Sequence, residues 1–391
     1  MKKLLCLLPW TEFCDVHLVK DVGLFPDYFG NEYKIPVDFV FLDNRKTGTK
    51  LNEWHGMNLI KLPSAENYTQ APSVKKNPIK FFKFIKIFIN FLRKTKGSYS
   101  HIMMFHVSST TLYLVRFIKK LNKSVKIYVK ADASNFSKRQ WFYLKQILKK
   151  TDALSVENEY LLRDINKKLP EYSEKVAYIP NGFDNITFSS TKLFSVPKEN
   201  FMIQTARFGT AQKNTQLLLK LFSKVDLKDW NVILAGTIEN DFYPFIESFF
   251  NEYPALKDKI HFIGNVSDRN ELYRLYARAK VFILTSRFES FCISLMEAAY
   301  FGDYIISTDV GIASTIKNSF CGFVANRDPM EQMNDEQIAT QMSNEVQKVI
   351  DNPAYCIVDK SEQDKICNKF SMSNIVKNEI FKGFFKREQK I

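Results

Sequence analysis

The chain has no apolar run approaching the roughly 20 residues that a bilayer-crossing helix needs. It has no C-x-x-C pair either: Cys6, Cys14, Cys292, Cys321, Cys356 and Cys367 are scattered. That argues against a zinc centre or a disulfide framework and suits a reducing cytoplasm. Glycine and proline number 13 each without clustering, which excludes collagenous and long disordered tracts. The first apolar run, Leu4–Leu8, ends at Pro9, Trp10 and Glu12. It is shorter than a secretory core and predicts a buried first strand instead. The most informative absence is of acid: from Asn67 to Ala131 there is no Asp or Glu, against 14 Lys and Arg.

The formal charge of the whole chain is also +14, so the basicity belongs to that region and the remainder balances. Within it, Lys80, Lys83, Lys86, Asn90, Arg93 and Lys94 recur at helical spacing on an otherwise apolar, Phe-rich segment. Pro78 stands where a helix N-terminus would place it. Three roles are open. The helix can be buried with its lysines snorkelling along one exposed edge. Residues 78–96 can instead press aromatic and basic side chains into an anionic membrane surface. Nucleic-acid binding is the third, and no stacking or groove-reading motif accompanies the charge.

At 391 residues, 45% of them hydrophobic, the chain is long enough for two domains with a core each. Short apolar runs alternate with helical patterns, the signature of parallel α/β architecture. Strands are predicted at Leu4–Leu8, Val37–Leu42, Ile102–Phe105, Val125–Val129, Ala153–Val156 and Val176–Ile179. A second series is predicted at Phe201–Ala206, Val232–Ala235, Ile260–Ile263, Val281–Leu284, Tyr304–Ser307 and Gly322–Val324. The turn-rich Ile179–Asp184 and the polar stretch to Asn200 predict the domain boundary. The expected organisation is a domain over 1–185, a second over 186–370, and one amphipathic helix over 371–391. Both domains are expected to be doubly wound and Rossmann-like, facing across a cleft, with ligands beyond the carboxyl ends of their strands.

Two segments carry candidate chemistry. The strand Val281–Leu284 leads through Ser286-Arg287-Phe288-Glu289-Ser290 into a helix expected from about Phe291, closed by Gly302. The first amides of that helix have no intrahelical partner and suit an anion. Glu289 and Glu297 would flank it, each able to accept from polyol hydroxyls. Their spacing recurs at Glu239 and Glu247, where a solvated helix face is the better reading. Upstream, Arg207 ends a strand and Lys213 opens the next helix. A planar guanidinium and a compact ammonium so placed suit a diphosphate; an exposed loop pair is the plain alternative.

These elements stand in a fixed order: Ile179-Pro180-Asn181-Gly182, then Arg207 with Lys213-Asn214, then His261–Val266, then Glu289 to Glu297. Together they resemble the nucleotide-sugar domain of family-4 retaining glycosyltransferases of the GT-B fold, best between about residues 151 and 325. The resemblance implies that Arg207 and Lys213 bind the diphosphate and neutralise the leaving group. It implies that Glu289 meets the donor sugar, Glu297 the ribose, and the amides of Ser290, Phe291 and Cys292 the sugar and phosphates. The loop Gly264-Asn265-Val266 would lie against the base, and the C-terminal helix would return to the first domain. Where the family reads Glu-Gly-Phe-Gly, this chain reads Glu289-Ser290-Phe291-Cys292; losing both glycines narrows the backbone's freedom. In the first domain, His106 follows a strand as does the histidine near the donor sugar in related enzymes. Gly23 is the sole glycine where the family has a glycine-rich loop. Lys130 and Asp132 end another strand and are candidates to face the acceptor.

None of the 21 aspartates has another two residues away, so the D-x-D that chelates a divalent ion in the other major glycosyltransferase fold is missing. Arg207 and Lys213 would take that electrostatic role, with no metal and no cofactor. The resulting expectation is a retaining, metal-independent transferase moving sugar from a nucleotide-diphosphate-sugar to a glycan or glycolipid acceptor. It would work in bacterial surface polysaccharide synthesis, in the cytoplasm or on the inner membrane face, with no nucleic-acid partner. A nucleotide-sugar epimerase, a phosphorylase and a non-catalytic protein of the same fold stay open.

Overall fold

A computed structural model describes residues 3–9, 13–43, 49–64, 68, 71–133, 135–186, 196–319, 322–325 and 334–385. The chain divides into two units, Met1–Asp184 with Ser371–Ile391, and Asn185–Phe370.

The first unit holds β1 (Lys3–Leu8), β2 (Val37–Leu42), β3 (Glu53–Trp54), β4 (Met57–Leu62), β5 (Tyr99–Phe105), β6 (Lys126–Ala131), β7 (Ala153–Val156) and β8 (Val176–Tyr178). They form one sheet in the order β3-β4-β2-β1-β5-β6-β7-β8, parallel except at β3–β4. Its helices are α1 (Asp21–Tyr33), α2 (Pro78–Lys94), α3 (Ser109–Leu121), α4 (Lys138–Leu148) and α5 (Glu159–Lys168). A strand buried on both faces reads as a continuous apolar run, and β1 shows the consequence. Leu5 and Leu7 enter the core under α2–α5, while Leu4, Cys6 and Leu8 enter the opposite core with α1. Side chains start the helices as their sequence suggests: Ser108 accepts from the amide of Thr111, and Ser137 forms a capping box with Gln140.

The second unit holds β9 (Glu199–Thr205), β10 (Asn231–Ala235), β11 (Ile260–Gly264), β12 (Ala279–Leu284), β13 (Tyr304–Thr308) and β14 (Gly322–Ala325). The sheet is parallel, in the order β11-β10-β9-β12-β13-β14. That is the doubly wound arrangement, with its switch point between β9 and β12. Its helices are α6 (Thr215–Phe222), α7 (Tyr243–Glu252), α8 (Arg269–Arg278), α9 (Ile293–Tyr300), α10 (Ala313–Ser319), α11 (Asp335–Asp351) and α12 (Lys360–Phe370). Leu217, Leu218 and Leu221 of α6 pack with Met342, Val346 and Val349 of α11 and with buried Trp230.

The expected strands are all present, with ends displaced by no more than three residues. The edge pair β3–β4 was not foreseen, because Asn58 and Lys61 interrupt the apolar pattern of a half-exposed strand. The C-terminal helix is corrected: it is two short helices, α13 (Met372–Ile375) and α14 (Glu379–Phe385). The break is at Asn378, whose side chain accepts from the amide of Ile380 and so starts the second helix afresh. Residues 386–391 of that expectation, and 187–195 of the boundary stretch, lie outside the described residues. Phe381, Phe384 and Phe385 of α14 join the α1-side core, with the Phe381 ring 4.7 Å from that of Phe29.

Buried Asp303, between α9 and β13, lies 2.5 Å from the Lys198 ammonium. Burial outweighs that partner and pushes its carboxyl up from 3.8 to about 7. The folded state therefore holds a proton that the unfolded chain has released above pH 4. Its contribution to stability is full below that value and is lost as pH rises towards 7. Urea midpoints measured across pH 4–8 should fall less steeply for Asp303→Asn than for the native chain; an unchanged slope would contradict this assignment.

Candidate active site

At the switch point of the second unit two loops meet. One follows β9 and runs from Ala206 to Asn214; the other follows β12, from Thr285 to Cys292. They are tied together directly. The amide of Arg287 donates to the carbonyl of Gln212 at 2.7 Å, the Thr285 hydroxyl to that of Lys213 at 3.2 Å, and the Gln212 amide group to that of Phe288 at 3.1 Å. This register brings Lys213 Nζ to 2.5 Å from Glu289 Oε1, with the side chains 18% and 9% exposed. Thus Lys213 and Glu289, 76 residues apart, form one half-desolvated pair beyond the carboxyl ends of adjacent strands. Gly311 makes the loop's approach feasible: at φ +56°, its Cβ would lie 2.3 Å from the carbonyl oxygen of Phe291.

The helix α9 starts at Ile293 rather than at Phe291, because Cys292 is its N-cap in left-handed conformation, φ 76° and ψ 79°. This is the position where the resembling family carries its second glycine. The backbone that a glycine adopts freely is kept by a cysteine, at a strain of about 1–2 kcal/mol. The Cys292 thiol is buried and pushed up to about 11, first by desolvation and then by the Glu289 charge.

The other expected donor residues are less gathered. Arg207 follows β9, but its guanidinium pairs with Glu239. That corrects the reading of Glu239: it sits in the loop after β10, before the short turn Asn240–Phe242, not on a helix face. Only Glu247 lies on an exposed helix face, in α7. Glu297 is buried in α9 and pairs with Arg269 at the start of α8, which also donates to the Tyr273 hydroxyl oxygen at 2.9 Å. Arg269 was missed; its place just past the Gly264–Val266 loop was the available signal. Asn265 is exposed and donates to Ser267, beside half-buried Val266. Ser290 is half-buried and Phe291 buried against Phe370. Arg287 ties Asn214 to Asp335.

In the first unit a charged cluster collects at the ends of β6 and β7 and the start of α1. Carboxylate oxygens of Asp21, Asp132 and Glu157 lie within 4.8 Å of one another, close enough to share a cation. Lys130 supplies a positive charge there: its ammonium is 2.9 Å from Glu157, both side chains are fully enclosed, and it lies 4.9 Å from the Phe25 ring centroid. Lys130 is therefore enclosed rather than presented to a ligand, whereas Asp132 is half-exposed. Burial raises the carboxyls of Asp21 and Glu157, and Lys130 opposes the shift in both. His106 follows β5 at φ 63°, an uncommon conformation for a residue with a Cβ. It is held there by its amide donating to Lys130 O at 2.8 Å and its carbonyl accepting from Thr111 Oγ1 at 2.8 Å. Burial lowers its imidazole pKa, with Asp132 opposing. Gly23, expected in a loop, sits in the first turn of α1, where a Cβ would lie 2.3 Å from Leu18 O. Glu157 and Asp21 were missed. Glu157 follows β7 as His106 follows β5, so the strand-end rule applied evenly would have found it.

Residues 185–355 match the family model described as glycosyl transferases group 1. No curated relative matches the chain by sequence. Among solved structures, a glycosyltransferase from Rickettsia africae is similar at TM-score 0.70 and 16% identity, over 99% of this chain and 100% of that one. Sucrose-phosphate synthase from Thermosynechococcus elongatus is similar at 0.68 and 15%, over 96% of each chain. Anabaena HepE, solved in complex with UDP, is similar at 0.65 and 13%, over 95% of this chain and 97% of that one. The strand orders of both units and these full-length likenesses make the fold GT-B. The second unit carries the match to the glycosyl transferases group 1 model.

Proposed function

We propose that the second unit binds a nucleoside-diphosphate sugar at the β9–β12 switch point. The chain would transfer that sugar, with retention and without a metal ion, to a glycan or glycolipid acceptor in surface polysaccharide synthesis. The observation that carries this reading is the Lys213–Glu289 pair, an ammonium and a carboxylate preplaced at 2.5 Å beside the start of α9. When a donor arrives, the diphosphate takes Lys213 and the first amides of α9, while Glu289 turns to accept from sugar hydroxyls. Arg207 exchanges Glu239 for phosphate in the same way. Charge growing on the departing diphosphate is then met by cations already in place, which is worth most where water is excluded. Glu297, already fixed by Arg269, is left to meet the ribose, and the Gly264–Val266 loop to meet the base. On the first unit, His106 and half-exposed Asp132 are the groups we assign to the acceptor. The UDP complex of HepE supports a uridine nucleotide as the first to try.

A panel of nucleoside-diphosphate sugars tests this directly. One of them should raise the melting midpoint, since a ligand of the folded state alone stabilises it. The same compound should be cleaved at an unchanged rate in the presence of a chelator, giving a product with the donor's anomeric configuration by NMR. Formation of an epimer, or no shift and no cleavage with any donor, would overturn the reading.

A further inference from the structure

The acid-poor region of the sequence builds a continuous face of the first unit. Helices α2, α3 and α4 share one core and touch in turn: the Arg93 guanidinium lies 5.5 Å from the Phe117 ring centroid, and Arg116 donates to Gln146. Their exposed positions are almost entirely basic or apolar. On α2 these include Ile79, Phe82, Lys83, Lys86, Arg93 and Lys94; α3 adds Tyr113, Arg116 and Lys120; α4 adds Lys138, Arg139, Phe142 and Lys145. Apart from Asp132, no Asp or Glu occurs from residue 67 to 151.

Fold stability does not account for this pattern. Cations near helix C-termini offset the helix dipole, which explains Lys119, Lys120 and Lys149. Lys138 and Arg139, however, stand in the first turn of α4, where the dipole disfavours positive charge. Like charges one turn apart, as at Lys83 and Lys86, are also destabilising. Phe142 is 58% exposed, Phe82 50% and Ile79 73%, with the Phe82 ring 5.7 Å from that of exposed Tyr113. Such residues lie outside any core.

We propose that this three-helix face rests on an anionic phospholipid surface. The apolar side chains would enter the headgroup boundary and the cations would meet lipid phosphates. An open hollow of about 660 Å³ at the C-terminal ends of α3 and α4 fits one headgroup: Arg116, Lys120, Lys123, Lys150 and Lys175 line it, and its one acid, Asp152, is paired with Lys119. A helical face three elements wide, studded with separate aromatic residues, suits a plane better than a nucleic-acid strand, which needs a groove with stacked rings. The expectation drawn from the sequence was confined to α2; the structure extends it to α3 and α4. This inference does not depend on the donor reading.

Co-sedimentation of the full chain with vesicles tests it. Vesicles of phosphatidylcholine with phosphatidylglycerol should pellet the protein, and phosphatidylcholine alone should not. Each surface cation contributes about fivefold to partition, so Lys138→Glu/Arg139→Glu/Lys145→Glu on α4 should weaken binding at least about a hundredfold. Phe82→Ser/Phe142→Ser should weaken it at unchanged charge. All variants should keep the native melting midpoint, because these positions are exposed. Equal binding to both vesicle types, binding untouched by the α4 variant, or binding of an oligonucleotide in preference to vesicles would each overturn the proposal.

Discussion

Replacing Lys213 with alanine is expected to lower kcat/KM for the nucleotide-sugar donor by about two to three orders of magnitude, the range for removing one preorganised charge-stabilising group. Lys213 is held by the carboxylate of Glu289 and by loops whose backbones are hydrogen-bonded together, so its ammonium needs little rearrangement to meet a diphosphate. If it acts chiefly on charge that develops as the diphosphate departs, the loss should fall mainly on kcat. If it merely anchors the donor, KM should rise with kcat unchanged. Lys213→Arg keeps the charge while changing its shape, and should recover part of the rate. Initial rates of nucleoside diphosphate release measure all of this. Activity within about threefold of native in Lys213→Ala would remove the residue from the mechanism.

The second large effect is expected on stability. Lys130→Met leaves Asp21, Asp132 and Glu157 crowded together without their enclosed cation. Breaking a buried pair by removing one partner typically costs about 3–5 kcal/mol, visible as a lowered urea midpoint. The cost has a direction in pH. Asp21 and Glu157 already titrate above their ordinary values in the folded state, and Lys130 is the group holding them down. Without it both rise further, and the folded state retains protons that the unfolded chain releases. Stability from these groups is therefore full below the ordinary carboxylate range and lost as pH rises through the folded values. The variant should be closest to native near pH 4 and furthest from it at neutral pH. Lys130→Met/Glu157→Leu, which removes a charge of each sign, should recover much of the loss. A destabilisation that is independent of pH would mean that Lys130 acts by packing alone.

Much of the fold was legible because most of the parallel strands, β1 the clearest, are buried on both faces and read as apolar runs. β4 was not, since a half-exposed strand next to the sheet edge, carrying Asn58 and Lys61, shows neither run nor alternation. Lys213 and Glu289 were legible through their position after strands, which the tied loops turn into contact. What escaped was pairing at long range. No local pattern announces that Arg207 will turn to Glu239, or Glu297 to Arg269, because those partners come from different strand-helix connections. Nor does spacing reveal that Cys292 adopts a glycine's backbone conformation; that is imposed by the turn into α9. The tail misled because its apolar positions keep helical spacing through Asn378, where a side-chain cap restarts the helix.

The chain enters its second unit at Asn185 and leaves it at Phe370, so the second unit is an insertion within the first. During synthesis, the sheet β1–β8 emerges long before Phe381, Phe384 and Phe385, which complete one of its two cores. The nascent first unit must therefore wait with an aromatic-lined face uncovered while all of the second unit is made. The second unit, contiguous in sequence, has every residue of its own core available before the tail appears. The order of maturation on the ribosome is then the reverse of the order of translation, and the interval between them is when the chain most needs protection from aggregation.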